Sequence, residues 1–312
     1  MTGRGDPPYR RIVAELRGRI LDGELRPGDR LPSVRQIARH WGVAVATATR
    51  VLATLRDDGL VEPRVGAGTV VTARTARRRP AALPARQPAV RRALGRRHLL
   101  RTAMAVADAG GLDAVSMRRL AAELGVGPMS LYRHVAHKDE LVTELVDAAF
   151  GEVELPADGP PGWRAKLDLI ARRHWQLCRR HPWLPRAVSF TRPLLTPTLT
   201  AHTEWTLRAL DGLGLPVATM VREALTLHGL VVTVALSVAD EIEAEQETGV
   251  SLDGWWLARR GHAEELLASG RFPLLATVPA DAATDLDALF EYGLARHLDG
   301  FAALVAAEGH AG

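Results

Sequence analysis

Few residues of this 312-residue chain have the types and spacing for covalent or metal chemistry. His174 and Cys178 stand four apart, so on a helix they share a face, and His181 follows closely. Imidazole and thiolate both ligate zinc, but no carboxylate stands at matching spacing, and His181 precedes Pro182 as a helix-end residue would. No metal is expected. Cys178 is the single cysteine, which removes intrachain disulfides and multi-cysteine zinc modules. No Gly-x-Ser-x-Gly element, phosphate loop or paired metal motif occurs. The abundant reactive group is the guanidinium, whose chemistry is phosphate neutralisation and forked hydrogen bonding.

The charge is distributed unevenly. The net charge is +4 overall: +4 over residues 1–73, +8 over 74–96, −1 over 97–150 and −7 over 151–312. A chain with one end on a polyanion shows this asymmetry, although solvated charged faces produce it too. Lys138 and Lys166 are the only lysines, a bias towards arginine. No stretch reaches the ~18 uninterrupted apolar residues of a membrane span. Met1 to Arg11 is polar with no signal-peptide core, so a cytoplasmic location without a membrane partner is expected.

The elements that must position these arginines separate into segments. Residues 1–73 hold short helical patterns and a β-like end. Residues 74–96, with three prolines and the charge run, have no apolar periodicity and are expected to be a flexible tether. Helical periodicity returns over 97–150 and persists through 151–312. The expected fold class is mainly α: an N-terminal winged helix-turn-helix with a small β-wing, a second all-α helix-turn-helix, and a helical C-terminal domain.

In the first segment, Ile12, Leu16, Ile20 and Leu21 share one face of a helix over Tyr9 to Leu25, broken by Pro27-Gly28-Asp29. Ser33 is an N-cap candidate for a second helix reaching Trp41. Gly42-Val43 turns into a third, Thr47 to Asp58. Leu60 to Arg64 and Thr69 to Val71 are strands around a glycine turn. The landmarks Leu31-Pro32-Ser33-Val34-Arg35-Gln36-Ile37-Ala38, Gly42-Val43, Gly59-Leu60-Val61-Glu62 and Gly66-Ala67-Gly68-Thr69 resemble the GntR family over about 65 residues. The resemblance implies DNA contact by Ser33, Arg35, Thr47, Thr49, Arg50 and Arg64, with the wing glycines Gly66 and Gly68. Arg35 can neutralise phosphate or fork onto guanine, and a glycine turn lets backbone approach closely. Ala44-Val45-Ala46-Thr47-Ala48-Thr49 departs from the family by offering few bidentate donors.

In the second, Leu99, Ala103, Val106 and Ala107 face a helix closed by Gly110-Gly111. Ser116 caps Met117 to Leu124, Gly125-Val126-Gly127 turns, a short helix runs from Pro128 to His134, and Lys138 opens a long one. The run Ser116-Met117-Arg118-Arg119-Leu120-Ala121-Ala122-Glu123-Leu124-Gly125-Val126, Ser130-Leu131-Tyr132-Arg133-His134-Val135 and Lys138-Asp139-Glu140-Leu141 resembles the TetR DNA-binding domain. That resemblance implies phosphate or base contacts from Ser116, Arg118, Pro128, Met129, Ser130, Tyr132, His134 and Lys138. A 23-residue tether spans roughly 25–30 Å by random-coil scaling, close to the ~34–36 Å of one DNA turn. Once the second reader docks, the tethered winged helix is therefore expected to meet a high local concentration of DNA.

Residues 151–312 read as helices over Trp163 to Arg180, Thr198 to Leu213, Val217 to Glu245, Trp255 to Ala268 and Asp285 to Val305. Their order and the His181-Pro182 junction resemble the tetracycline-repressor-like C-terminal domain. This implies a homodimer through 217–245 and 285–305, and a small-molecule effector pocket. Trp175, Phe190, His202, Trp205 and His228 are its candidate lining, although apolar-face aromatics are more often core. The function implied is a ligand-responsive dimeric repressor on a double-stranded DNA operator. A low-specificity architectural DNA binder is the alternative. Some GntR-type heads are fused to a pyridoxal-phosphate domain, but Lys166, the only lysine after residue 150, has no α/β pattern around it. Neither enzyme activity nor a cofactor is expected.

Overall fold

The computed structural model describes residues 7–64, 68–72, 95–279 and 284–308, and leaves the side chains of Pro128, Met129 and Glu308 undescribed. Gly66 and the tether up to residue 94 lie outside the described residues. Contacts divide the chain into two compact units, 1–141 and 142–312.

The first unit opens with α1 (Pro8–Leu21), started by proline in its first turn, where no backbone donor is lost. α2 (Val34–Trp41) begins at Ser33, whose hydroxyl accepts from the Gln36 amide while the Gln36 side chain accepts from the Ser33 amide. This reciprocal cap fixes the start of an eight-residue helix too short to persist alone. Gly42 ends it at φ 63°. α3 (Val45–Asp57) follows, and β1 (Val61–Arg64) and β2 (Gly68–Val71) pair antiparallel with Val61 opposite Val71 and Arg64 opposite Gly68. Ile12, Leu16, Ile37, Val51, Leu55, Leu60 and Val71 close one core beneath them.

α4 (Arg96–Ala114) contains a break: Gly110 and Gly111 leave helical geometry, and Gly111 adopts φ 70°, ψ 176°. The sequence expectation of a helix closing at these glycines is met by this kink, with a further turn beyond it. Ser116 caps α5 (Met117–Glu123) by accepting from the Arg119 amide. α6 (Pro128–Leu131) is one turn long, shorter than the expected run to His134. α7 (Lys138–Phe150) begins in the first unit and ends in the second.

In the second unit, α8 (Trp163–Arg180), α9 (Leu184–Ala187), α10 (Pro197–Leu210), α11 (Val217–Thr248), α12 (Leu252–Ala268) and α13 (Leu286–Glu308) form a bundle, with a 3-10 turn at Leu275–Thr277. α11 packs against α8, α9, α10 and α13, burying Leu227, Val231, Ala235 and Val238. By length and composition α11 could cross a membrane, the one such helix among the described residues. The uninterrupted-run criterion passed over it because His228, Thr233 and Ser237 punctuate its apolar stretch. α12 buries no residue and leaves Trp255, Trp256 and Leu257 exposed.

Candidate functional site

Three features combine reactive or charged groups with exposure or a cavity. The first is the α2–α3 face of the winged helix. Ser33, Arg35, Thr49 and Arg50 are exposed, and Thr47 is half-buried. Thr49 spends its hydroxyl on the Val45 carbonyl at 2.9 Å. Arg50 lies with its guanidinium 4.2 Å from the Tyr9 ring centre. Arg64 is exposed at the end of β1. Gly68 sits at φ 79°, a backbone conformation that favours glycine, with the Arg30 guanidinium close by. Arg35 and Arg64 remain available for phosphate. Arg50 is held by an aromatic ring, which sequence spacing did not anticipate.

The second feature is the α5–α6 helix-turn-helix. Arg118 is exposed, and Ser116, Ser130, His134 and Lys138 are half-buried. Ser116 uses its oxygen as the α5 cap, leaving its hydroxyl hydrogen free to donate. Tyr132 is different from its neighbours. Its hydroxyl is buried without a hydrogen-bonding partner, and the Arg17 guanidinium stacks 4.6 Å from its ring centre. Burial, then the nearby Asp58 carboxylate, pushes the phenol pKa far above its ordinary value. The same guanidinium pairs with Asp58 and donates to the Ala136 carbonyl. Arg17 and Asp58 are both nearly inaccessible, with relative exposures of 7% and 5%. Arg10 pairs with Asp139, to which Tyr9 also donates at 3.4 Å. The two readers therefore touch through specific polar groups. The sequence alone does not foretell this contact, because nothing in local periodicity marks Arg17 or Asp58 as buried.

The third is a cavity of about 80 Å³ between α8, α10 and α11, lined by His174, His202, His228, Thr206, Leu227 and Val231 among others. His174 Nε2 lies 3.0 Å from His202 Nδ1 and the rings stack, so one donates and the other accepts. Phe150, the last residue of α7, meets both rings edge-on at 5.3 Å, and Phe190 meets His228 at 5.5 Å. Burial depresses all three imidazoles, with His228 pushed down to about 4. At neutral pH each is an uncharged donor and acceptor.

His202 and His228 line this cavity, and Phe190 packs at His228. Trp175 and Trp205 do not line it. Trp175 stacks on Phe290 at 4.7 Å and donates to Asp287, and Trp205 donates to the Pro156 carbonyl. Both rings turn from the cavity because their indole N–H groups require acceptors that lie elsewhere. His174 was missed as a lining residue because i,i+4 spacing paired it with Cys178, whose buried thiol is pushed up to about 12. His181 instead meets Glu152 at 3.2 Å. Among the described residues no group of three or more His, Cys, Asp or Glu is arranged to hold a metal ion.

Comparison with known proteins joins these features. Residues 8–71 match the model for bacterial regulatory proteins of the gntR family, 99–145 that of the tetR family, and 155–305 the tetracyclin repressor-like C-terminal domain. The HTH-type transcriptional repressor DrrR1 of Streptomyces coeruleorubidus is 42% identical over 210 residues, covering 67% of this chain and 77% of its own. The chain belongs to the TetR family of transcriptional regulators. It carries a GntR-family winged helix ahead of the TetR-family reader.

Other relatives agree. An HTH-type transcriptional regulator of Saccharopolyspora erythraea is 30% identical over 227 residues, covering 72% of this chain and 92% of its own. ActR of Streptomyces coelicolor in complex with actinorhodin superimposes with a TM-score of 0.57 at 30% identity, over 68% of this chain and 97% of ActR. As a TetR-family protein it is a DNA-binding transcriptional regulator, mainly α with a small β-wing.

Proposed function

We propose that the cavity between α8, α10 and α11 is the effector site, and that an organic molecule entering it releases the homodimeric protein from its operator. The observation that carries this reading is the set of three neutral imidazoles set in an apolar wall, with Phe150 packed on two of them. Buried imidazoles without a charged partner suit a ligand with an apolar body and at least one oxygen able to donate or accept a hydrogen bond. That ActR binds actinorhodin supports an effector of this kind here.

Size determines how binding produces a signal. Drug-sized ligands occupy about 300–1,000 Å³, and the cavity offers about 80 Å³. An effector must therefore part the helices and shift His174 and His202, against which Phe150 packs edge-on. Because Phe150 ends α7 and Lys138 begins it, displacement at one end is transmitted along a continuous helix to the start that flanks α6. A ligand shifts the equilibrium only by its differential affinity for the widened state.

On DNA, we assign the phosphate and base contacts to Ser33, Arg35, Arg64 and Gly68 of the winged helix, and to Ser116, Arg118, Ser130, Tyr132, His134 and Lys138 of the second reader. A regulator with these two readers acts where the DNA is, in the cytoplasm. Footprinting of the purified protein on the region upstream of its own gene tests the reading, at ~50 and ~200 mM salt with excess competitor DNA. A discrete protected site that survives the higher salt is expected. Diffuse protection that disappears would favour the architectural alternative and remove the case for an operator.

A further inference from the structure

Tyr132 presents a contradiction within the molecule. It sits where the second reader would meet a phosphate backbone, yet its hydroxyl is enclosed and Arg17 of the winged helix covers its ring. We propose that the winged helix is an intramolecular cap on the second reader, latched through Arg17, and that this reader engages DNA only after the latch opens. The proposal rests on the assignment of the second reader to DNA contact.

The geometry is that of a specific contact. Arg17 reaches three partners at once: the Asp58 carboxylate in its own winged helix, the Ala136 carbonyl and the Tyr132 ring. The Arg17–Asp58 pair is buried, so Asp58 fixes the guanidinium in the orientation that Tyr132 and Ala136 receive. A second contact lies at the rim, where Arg10 pairs with Asp139 beside Tyr9. Tyr9 is in turn covered by Arg50, a residue otherwise suited to phosphate. A cleft of about 610 Å³ separates the remaining surfaces, with Ser116, Arg118 and Lys138 on its walls. The Tyr132 hydroxyl is thus enclosed within the protein, and Arg50, though exposed, is held over the Tyr9 ring. DNA contact by either requires their present partners to be given up.

Rim charges allow the latch to be weakened without disturbing the buried pair. Arg10→Asp places two carboxylates face to face and also removes positive charge. Charge alone therefore lowers DNA affinity, and only uncapping raises it. The full chain, labelled with 3-fluorotyrosine, reports the three tyrosines Tyr9, Tyr132 and Tyr292 by 19F NMR, with assignment from single Tyr→Phe variants. Arg10→Asp is expected to move the Tyr9 and Tyr132 resonances towards solvent-exposed positions and leave Tyr292 in place. Affinity for the duplex upstream of the gene should rise about tenfold, as it does when a binding-competent state is freed from a tenfold excess of a closed one. Adding Asp139→Arg to Arg10→Asp should restore both readings. Unmoved resonances, or an open Tyr132 with unchanged or weaker DNA binding, would overturn the cap. Tyr132→Phe in the Arg10→Asp background separates the two ideas. If opening strengthens binding and the phenylalanine makes no difference, the cap stands and the role of Tyr132 on DNA fails.

Discussion

At the residue scale the chain keeps its ionisable side chains in two opposite conditions. The guanidinium groups mostly lie at the surface or in ion pairs, whereas His174, His202 and His228 are enclosed and uncharged. A histidine whose folded pKa lies below its unfolded value stabilises fully above about pH 6.5 and loses that contribution as pH falls towards the folded pKa. Unfolded chains take up the proton first, so acid favours unfolding. For His228, with a folded pKa of about 4, the loss approaches about 3 kcal/mol at the acid end. The carboxylates held low, Asp147 and Glu152, lose their contribution only below about 4.5, so the window from 6.5 to 4.5 belongs to the histidines. Urea midpoints should therefore fall steadily between pH 7 and pH 4.5, and His228→Gln should flatten that slope. An unchanged slope in the variant would place the sensitivity elsewhere. His202 and His228 were legible in the sequence as candidates for one pocket. Trp175 and Trp205, candidates for the same pocket, do not line this cavity, since helical spacing selects a buried face and not the neighbour that the face meets.

At the element scale, turns and caps were the most legible part, because they depend on nearest neighbours. The caps Ser33 and Ser116 and the turn at Gly42 all stand where the sequence put them. Gly110-Gly111 was legible as a break but not as a kink within a continuing helix, since the turn after it is decided by packing. Two glycines in helices give opposite predictions. Gly111 holds φ 70° with ψ 176°, a conformation open almost only to glycine, so Gly111→Ala should destabilise by about 1–3 kcal/mol. Gly18 lies within α1 at a negative φ, and an added Cβ would meet nothing within 4 Å. Gly18→Ala should stabilise by about 1 kcal/mol. Thermal unfolding of the two variants beside the parent checks both signs, and equal shifts would contradict the backbone argument.

At the scale of the whole molecule, the sequence conveyed three matched segments in order but not the contacts among distant parts. Arg17, Asp58 and Tyr132 lie far apart in the chain, and no periodicity ties a charged residue in a first helix to a tyrosine that ends a sixth. The same gap separates an apolar stripe from its partner, and α13 illustrates it. Phe290, Leu294, Leu298 and Phe301 turn inward, and Gly293 lets α13 approach α11 so closely that a Cβ there would lie 2.9 Å from Leu230. An exposed stripe away from this face carries Leu289 and Tyr292, with Leu304 to one side of it, at exposures of 50%, 67% and 40%. Three large apolar groups left in water along one helix cost more than a soluble monomer retains without use. The resemblance to the tetracycline-repressor-like C-terminal domain implies a dimer through α11 and α13, so the partner expected here is a second copy. Charge placed in that stripe should separate the copies, because an unpaired guanidinium in an apolar interface is left without water or a counter-charge. Leu289→Arg combined with Leu304→Arg should reduce the mass in solution from about twice 33.8 kDa to a single chain by light scattering. DNA affinity should fall with it, since a monomer engages one half-site where a dimer engages two. A dimer that persists through both substitutions would move the interface to the exposed tryptophans of α12.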